Sequence, residues 1–195
     1  MATNLAKMEL NPPQKTKRLF VLSQVLIRLA AFGASLAAAL IMVTNKERKT
    51  IYGFEMVAKY TYSSAFRFLV GANIAACAYS LVSLPFVLMF SAKGSGQRCF
   101  FCLFLLDLMV MGLLTAASSA ATAIGLMGKY GNSHTGWAEI CSYVGHYCDK
   151  ATHSVVCSYA ALILFFFITV LSATKPKPSP VHKDTAVPVS LVFSV

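Results

Sequence analysis

The chain has 195 residues, 57% of them hydrophobic, and a formal net charge of +10. Four long apolar runs occupy about half of it, which leaves too little polar sequence for a second folded domain. In a soluble protein such a charge would suggest nucleic acid; here it has to be read by membrane topology, and no nucleic-acid partner is expected.

Residues 1–18 are polar and interrupted by Pro12 and Pro13, which reads as a disordered arm. The first apolar run, residues 19–43, is too long for a signal-peptide core, carries Arg28 and lacks a clear small-x-small cleavage site, so it reads as a retained signal anchor. It holds Ala30, Ala34 and Ala38 at four-residue spacing beside Gly33 and Ala37, and small residues so placed let helix backbones approach closely in lipid. The second run, residues 68–90, contains Asn73, which needs a hydrogen-bond partner from another helix, and Pro85, which is expected to kink it.

Cys99 and Cys102 form a CxxC where the third run begins. A redox motif would want a soluble strand-to-helix setting, so plain interfacial thiols or juxtamembrane palmitoylation sites are the readings left open. The third run, residues 100–125, carries Asp107 and a second set of small residues, Gly112, Ala116 and Ala120, with Ala117, Ala121 and Gly125 beside them. In the loop that follows, Cys141 and Cys148 are spaced to close a small disulfide loop, worth ~2–3 kcal/mol if it lies on an oxidising face. A zinc site drawing on His134, His146 or His153 is the alternative, although no spacing matches a zinc pattern. The fourth run, residues 155–173, is bulky from Leu162 to Phe167, as suits a helix that shows more surface to lipid. From residue 174 the chain turns basic and proline-rich, an extended tail that cannot continue a helix.

Each run meets the ~20-residue requirement for a helix crossing ~30 Å of hydrocarbon. Together they hold just two charged residues, Arg28 and Asp107. A charge near the bilayer centre costs at least ~2.5–3.5 kcal/mol on insertion scales, so it persists where something compensates it. Spans one and three cross in the same direction; Arg28 follows Arg18 by ten residues and Asp107 follows Arg98 by nine. At ~1.5 Å per residue both then lie ~14–15 Å into their helices. A buried ion pair between spans one and three is therefore expected, fixing helix neighbours and register or, alternatively, serving a proton or ion relay. A relay usually needs a second carboxylate, and no other acid lies in any span.

The N-terminal arm, the second loop and the tail hold nine basic residues against two acids, whereas loops one and three hold seven against four. That asymmetry favours both termini in the cytoplasm. Lys and Arg beside the spans also attract anionic lipid. No Gly-x-Ser-x-Gly elbow and no phosphate-binding glycine loop occurs, and no pair of intramembrane histidines offers itself to haem, so neither catalysis nor a cofactor is expected.

Several of these residues form an ordered set. Val25-Leu26-Ile27-Arg28, Tyr62 to Phe68 with Asn73 and Tyr79-Ser80-Leu81, Leu106-Asp107, the run Ala116 to Ala121, Gly131-Asn132, Trp137, Cys141 and Tyr147-Cys148 together resemble the Casparian strip membrane domain protein-like (CASP-like) family of plants, over about residues 19–173. Loop one lacks the acidic, aromatic stretch typical of strip-forming members, so the likeness is to a CASP-like paralogue. The family resembles MARVEL-type four-helix proteins, and its best-known members form immobile plasma-membrane platforms that recruit lignin-polymerising machinery to the wall. The resemblance thus implies an all-α membrane protein, a four-transmembrane-helix bundle with cytoplasmic termini. It also implies a non-enzymatic plasma-membrane scaffold whose partners are itself, its relatives, membrane lipids and cell-wall-modifying enzymes, and it makes Trp137 part of an outer-loop signature. A small transporter or channel subunit, with Arg28 and Asp107 lining a hydrated path, is the rival reading.

Overall fold

A computed structural model of the chain describes residues 12–51, 54–93, 97–134 and 136–173. In chain order come α1 (Pro12–Thr44), a hairpin of β1 (Lys46–Ile51) and β2 (Phe54–Lys59), a 3₁₀ turn (Tyr60–Tyr62), α2 (Ser64–Lys93), α3 (Gln97–Tyr130) and α4 (Gly145–Ala173). The stretches long and apolar enough to cross a membrane are Arg18–Thr44, Ser64–Met89, Phe101–Tyr130 and Gly145–Ala173. Helix α1 opens on Pro12 and Pro13, where the first turn has no use for their missing N–H groups. It therefore takes in part of the arm read as disordered; residues 1–11 and the tail from 174 lie outside the described residues. Helix α2 runs on through Pro85.

The four helices share one seam. Going along α1, a buried stripe runs through Gln24, Arg28, Ala31, Ser35, Ala38, Met42 and, just past its end, Asn45, separated alternately by four and three positions, with Ala39 buried beside it. The same alternation gives Phe66, Leu69, Asn73, Ala76, Ser80, Ser83 and Val87 on α2, and Ala151, Ser154, Ser158, Ala161, Phe165 and Ile168 on α4. On α3 it gives Leu103, Asp107, Leu114, Ala117 and Ala121, with the partly buried Val110 between. An average of ~3.5 residues per turn is the repeat that keeps one stripe facing inward when helices wind around each other with a left-handed twist. Small seam residues, Ala31, Ala38, Ala76, Ala117, Ala121 and Ala161, allow the close approach that lipid-embedded helices need.

Helices α1 and α3 each pack against α2 and α4, so they face one another across the diagonal of the bundle. The hairpin is an addition to the all-α reading. Its antiparallel register runs from Lys46 opposite Lys59 to Ile51 opposite Phe54, which leaves two residues, Tyr52 and Gly53, between the strands. The charged strand Lys46–Ile51 lacks the alternation that would have flagged a hairpin.

Candidate functional site

Arg28 and Asp107 meet on the bundle diagonal, 1% and 0% exposed. Arg28 Nη2 donates to Asp107 Oδ2 at 2.8 Å, and Nη1 donates to Ser83 Oγ at 2.7 Å. The second carboxylate oxygen, Oδ1, accepts from Tyr79 Oη at 2.6 Å, and Oδ2 also accepts from Ser172 Oγ at 3.3 Å. Ser83 Oγ in turn donates a hydrogen bond to the Ser80 carbonyl at 3.0 Å, and the Arg28 guanidinium lies 5.8 Å from the Tyr79 ring centroid. One carboxylate thus gathers donors from all three other helices. Burial strengthens hydrogen bonds to charge, and removing one charged member would leave the other uncompensated. One turn before Arg28, the amide of Gln24 is 2% exposed and has no hydrogen-bond partner among the described residues, and Arg28 Nε likewise has none there.

About three turns further along the bundle lies a second, uncharged layer. Asn73 Nδ2 donates to Ser158 Oγ at 2.9 Å, and Ser158 shares a hydrogen bond of 2.9 Å with Ser118, joining α2, α4 and α3. Ser154 Oγ donates to the Ala38 carbonyl at 2.7 Å, which ties α4 to α1. Asn73 therefore has the partner from another helix that its place in a span required.

The far end of the bundle is latched. Asn45 Nδ2 donates to the Tyr147 carbonyl at 2.8 Å, and the Glu47 carboxylate accepts the Tyr147 N–H at 2.7 Å. Tyr147 sits in the first turn of α4, where N–H groups lack intrahelical acceptors and the helix dipole favours an anion. Cys141 and Cys148 are joined as a disulfide with Cα atoms 5.7 Å apart. Both sulfurs are thereby withdrawn from any zinc set, and among the described residues no group of His, Cys, Asp or Glu is placed to hold a metal ion. The connection between α3 and α4 turns at Gly131, whose φ is +64° and where a Cβ would stand 2.6 Å from the Trp137 carbonyl oxygen. The conformation favours glycine, and the space excludes a side chain.

Not every expected packing residue lies in the seam. Gly33, Gly112 and Ala116 are exposed on outward faces, while Ala34 and Ala120 are half-buried at its flank. The reason is periodicity: residues spaced four apart drift around the helix, whereas the seam needs three and four in alternation. Trp137 is exposed. Cys102 is an exposed free thiol, and the side chain of Cys99 lies outside the described residues. Sequence reading did not assign Tyr79, Ser83 and Ser172 to the ion pair. The signal available was the stripe Asn73, Ser80 and Ser83 at heptad spacing along a run otherwise apolar on all sides.

A four-helix membrane protein whose internal charges are neutralised by partners from every helix, and whose loop end is closed by a disulfide, is the class these features define. Residues 17–164 match the Casparian strip membrane protein domain, and the chain belongs to that family. It is 47% identical over 167 residues to CASP-like protein 1F1 of Ricinus communis, covering 86% of this chain and 93% of the relative. Against CASP-like protein 1F2 of Populus trichocarpa the identity is 42% over 177 residues, covering 91% and 98%. Against CASP-like protein 1F1 of Arabidopsis thaliana it is 42% over 165 residues, covering 84% and 95%. No solved structure matches the chain.

Proposed function

We propose that this protein is a non-enzymatic scaffold of the plasma membrane, with both termini in the cytoplasm, that associates with itself and with relatives and so organises a membrane domain or recruits cell-wall-modifying partners. The observation that carries the reading is the consumption of the intramembrane charge: Asp107 accepts from Arg28, Tyr79 and Ser172 in a site 0–1% exposed. A carboxylate so held supports the bundle and is poorly placed to exchange protons or ions. Self-association draws support from Gly33, Gly112 and Ala116, small residues left on outward faces where a neighbouring helix can come close. Family membership supports the same reading. Lateral mobility of a fluorescent fusion at native expression level tests it: slow recovery after photobleaching, in patches, is the expected result. Free diffusion, together with solute flux in reconstituted vesicles, would replace the scaffold by a transporter. Tags at each terminus and in the loop between α3 and α4 should report the termini inside and the loop outside.

A further inference from the structure

The segment joining α3 to α4 carries large side chains that nothing among the described residues covers. Trp137 is 57% exposed and Tyr130 71%, and Ile140 and Tyr143 are exposed beside Leu126 and Met127 of the last turns of α3. Yet the backbone here is not loose. Ile140 and Cys141 both donate their N–H groups to the Gly128 carbonyl, at 2.9 and 3.0 Å, and Asn132 and Trp137 exchange N–H···O bonds of 2.9 and 3.1 Å. These bonds fold the segment back along the end of α3, and the disulfide ties it to the first turn of α4. Its exposed side chains are thereby held close to the end of α3.

That level can be placed. The apolar stretch Phe101–Tyr130 has 30 residues. At ~1.5 Å per residue it is ~45 Å long, the thickness of a bilayer with both headgroup layers included rather than of its hydrocarbon alone. With Phe101 at one face, Tyr130 and the folded-back segment fall in the opposite headgroup layer. Trp and Tyr are the side chains that belong there, since an apolar ring meets acyl chains while an N–H or O–H meets water and headgroups. Lys129 Nζ lies 5.4 Å from the Tyr130 ring centroid, a cation at the height of lipid phosphates. The hairpin contrasts with this surface: Arg48, Lys49, Thr50 and Glu55 are exposed and polar, and they suit water.

We propose that the α3–α4 connection is a membrane-interface anchor, with Trp137, Ile140 and Tyr143 embedded among lipid headgroups and upper acyl chains, so that the charged hairpin is what this end of the protein offers to the aqueous side. The inference rests on the four spans alone and not on the scaffold reading. The sequence contains one tryptophan, so the unaltered full chain reports on itself. In phosphatidylcholine vesicles its fluorescence should be blue-shifted from that of free tryptophan. It should be quenched several-fold more strongly by lipids brominated near the carboxyl end of the acyl chain than by aqueous iodide. Moving the reporter to the hairpin, Trp137→Phe with Thr50→Trp, should reverse that preference. Emission from Trp137 that is open to iodide and untouched by bromine would overturn the proposal in favour of an aqueous loop. Emission shielded from both quenchers would overturn it equally, because protein and not lipid would then cover the ring.

Discussion

Two Arg–carboxylate pairs in this chain differ in surroundings more than in chemistry. Arg28 and Asp107 stand 2.8 Å apart at 1% and 0% exposure; Arg48 and Glu55 stand 3.3 Å apart at 58% each. When the hairpin pair separates, water solvates both groups, so its contribution is small and is screened by salt. When the buried pair loses a member, the survivor has no solvent to turn to. What a charge pair contributes therefore depends on the alternatives open to each partner, and on the diagonal of the bundle these are neutral groups such as the hydroxyls of Tyr79, Ser83 and Ser172 rather than bulk water.

The contrast is broken most sharply by removing one side of the buried pair. Arg28→Leu or Asp107→Leu alone should cost ~3–5 kcal/mol, whereas the double substitution can be nearly neutral. Thermal unfolding of purified protein in nanodiscs, together with the amount that reaches the membrane, measures both. Single variants should be depleted and the double variant restored to much of its level. If single variants were stable and correctly localised yet lost a solute flux, the pair would be a transport element and not a structural one.

The latched end should come next. Replacing Cys141 and Cys148 by serine opens a loop of seven-residue separation, a loss of ~2–3 kcal/mol by the chain-entropy estimate. It reads out as a lower melting temperature in non-reducing buffer, a difference that reductant should abolish. Mass spectrometry of the unaltered protein without reductant should find a peptide linking the two cysteines. Glu47→Leu removes the acceptor from the Tyr147 N–H and an anion from the first turn of α4, at a cost of ~1–2 kcal/mol. Faster hydrogen exchange at Tyr147 and its neighbours, with the seam of the bundle still protected, would locate that loss.

The exposed pair supplies the smallest effect. Arg48→Ala, Glu55→Ala or both should change stability by less than ~1 kcal/mol, and by less still at high salt. A cost comparable to that of the buried pair would mean that a partner in the membrane, or another copy of the chain, covers the hairpin.

The sequence alone determined that four helices cross a bilayer and that Arg28 and Asp107 need each other. Both follow from the same fact, that hydrocarbon tolerates neither unsatisfied backbone nor uncompensated charge. The cysteine spacing likewise announced a local bridge. The inward face of each helix was harder to read, because lipid is as apolar as the bundle interior and hydrophobicity cannot separate the two. The small residues read from the sequence included Ala38, Ala117 and Ala121, which do lie in the seam, but also Gly33, Gly112 and Ala116, which lie outside it, because the seam follows spacings of three and four in alternation. Only the tertiary structure decided that the charged pair lies on a diagonal, since that depends on which helices are neighbours. It decided, too, that Tyr79 and Ser172, 28 and 65 positions from Asp107 in the chain, complete its hydrogen bonds. Such partners are chosen by the relative rotation and height of whole helices, which the packing of every other seam residue fixes together.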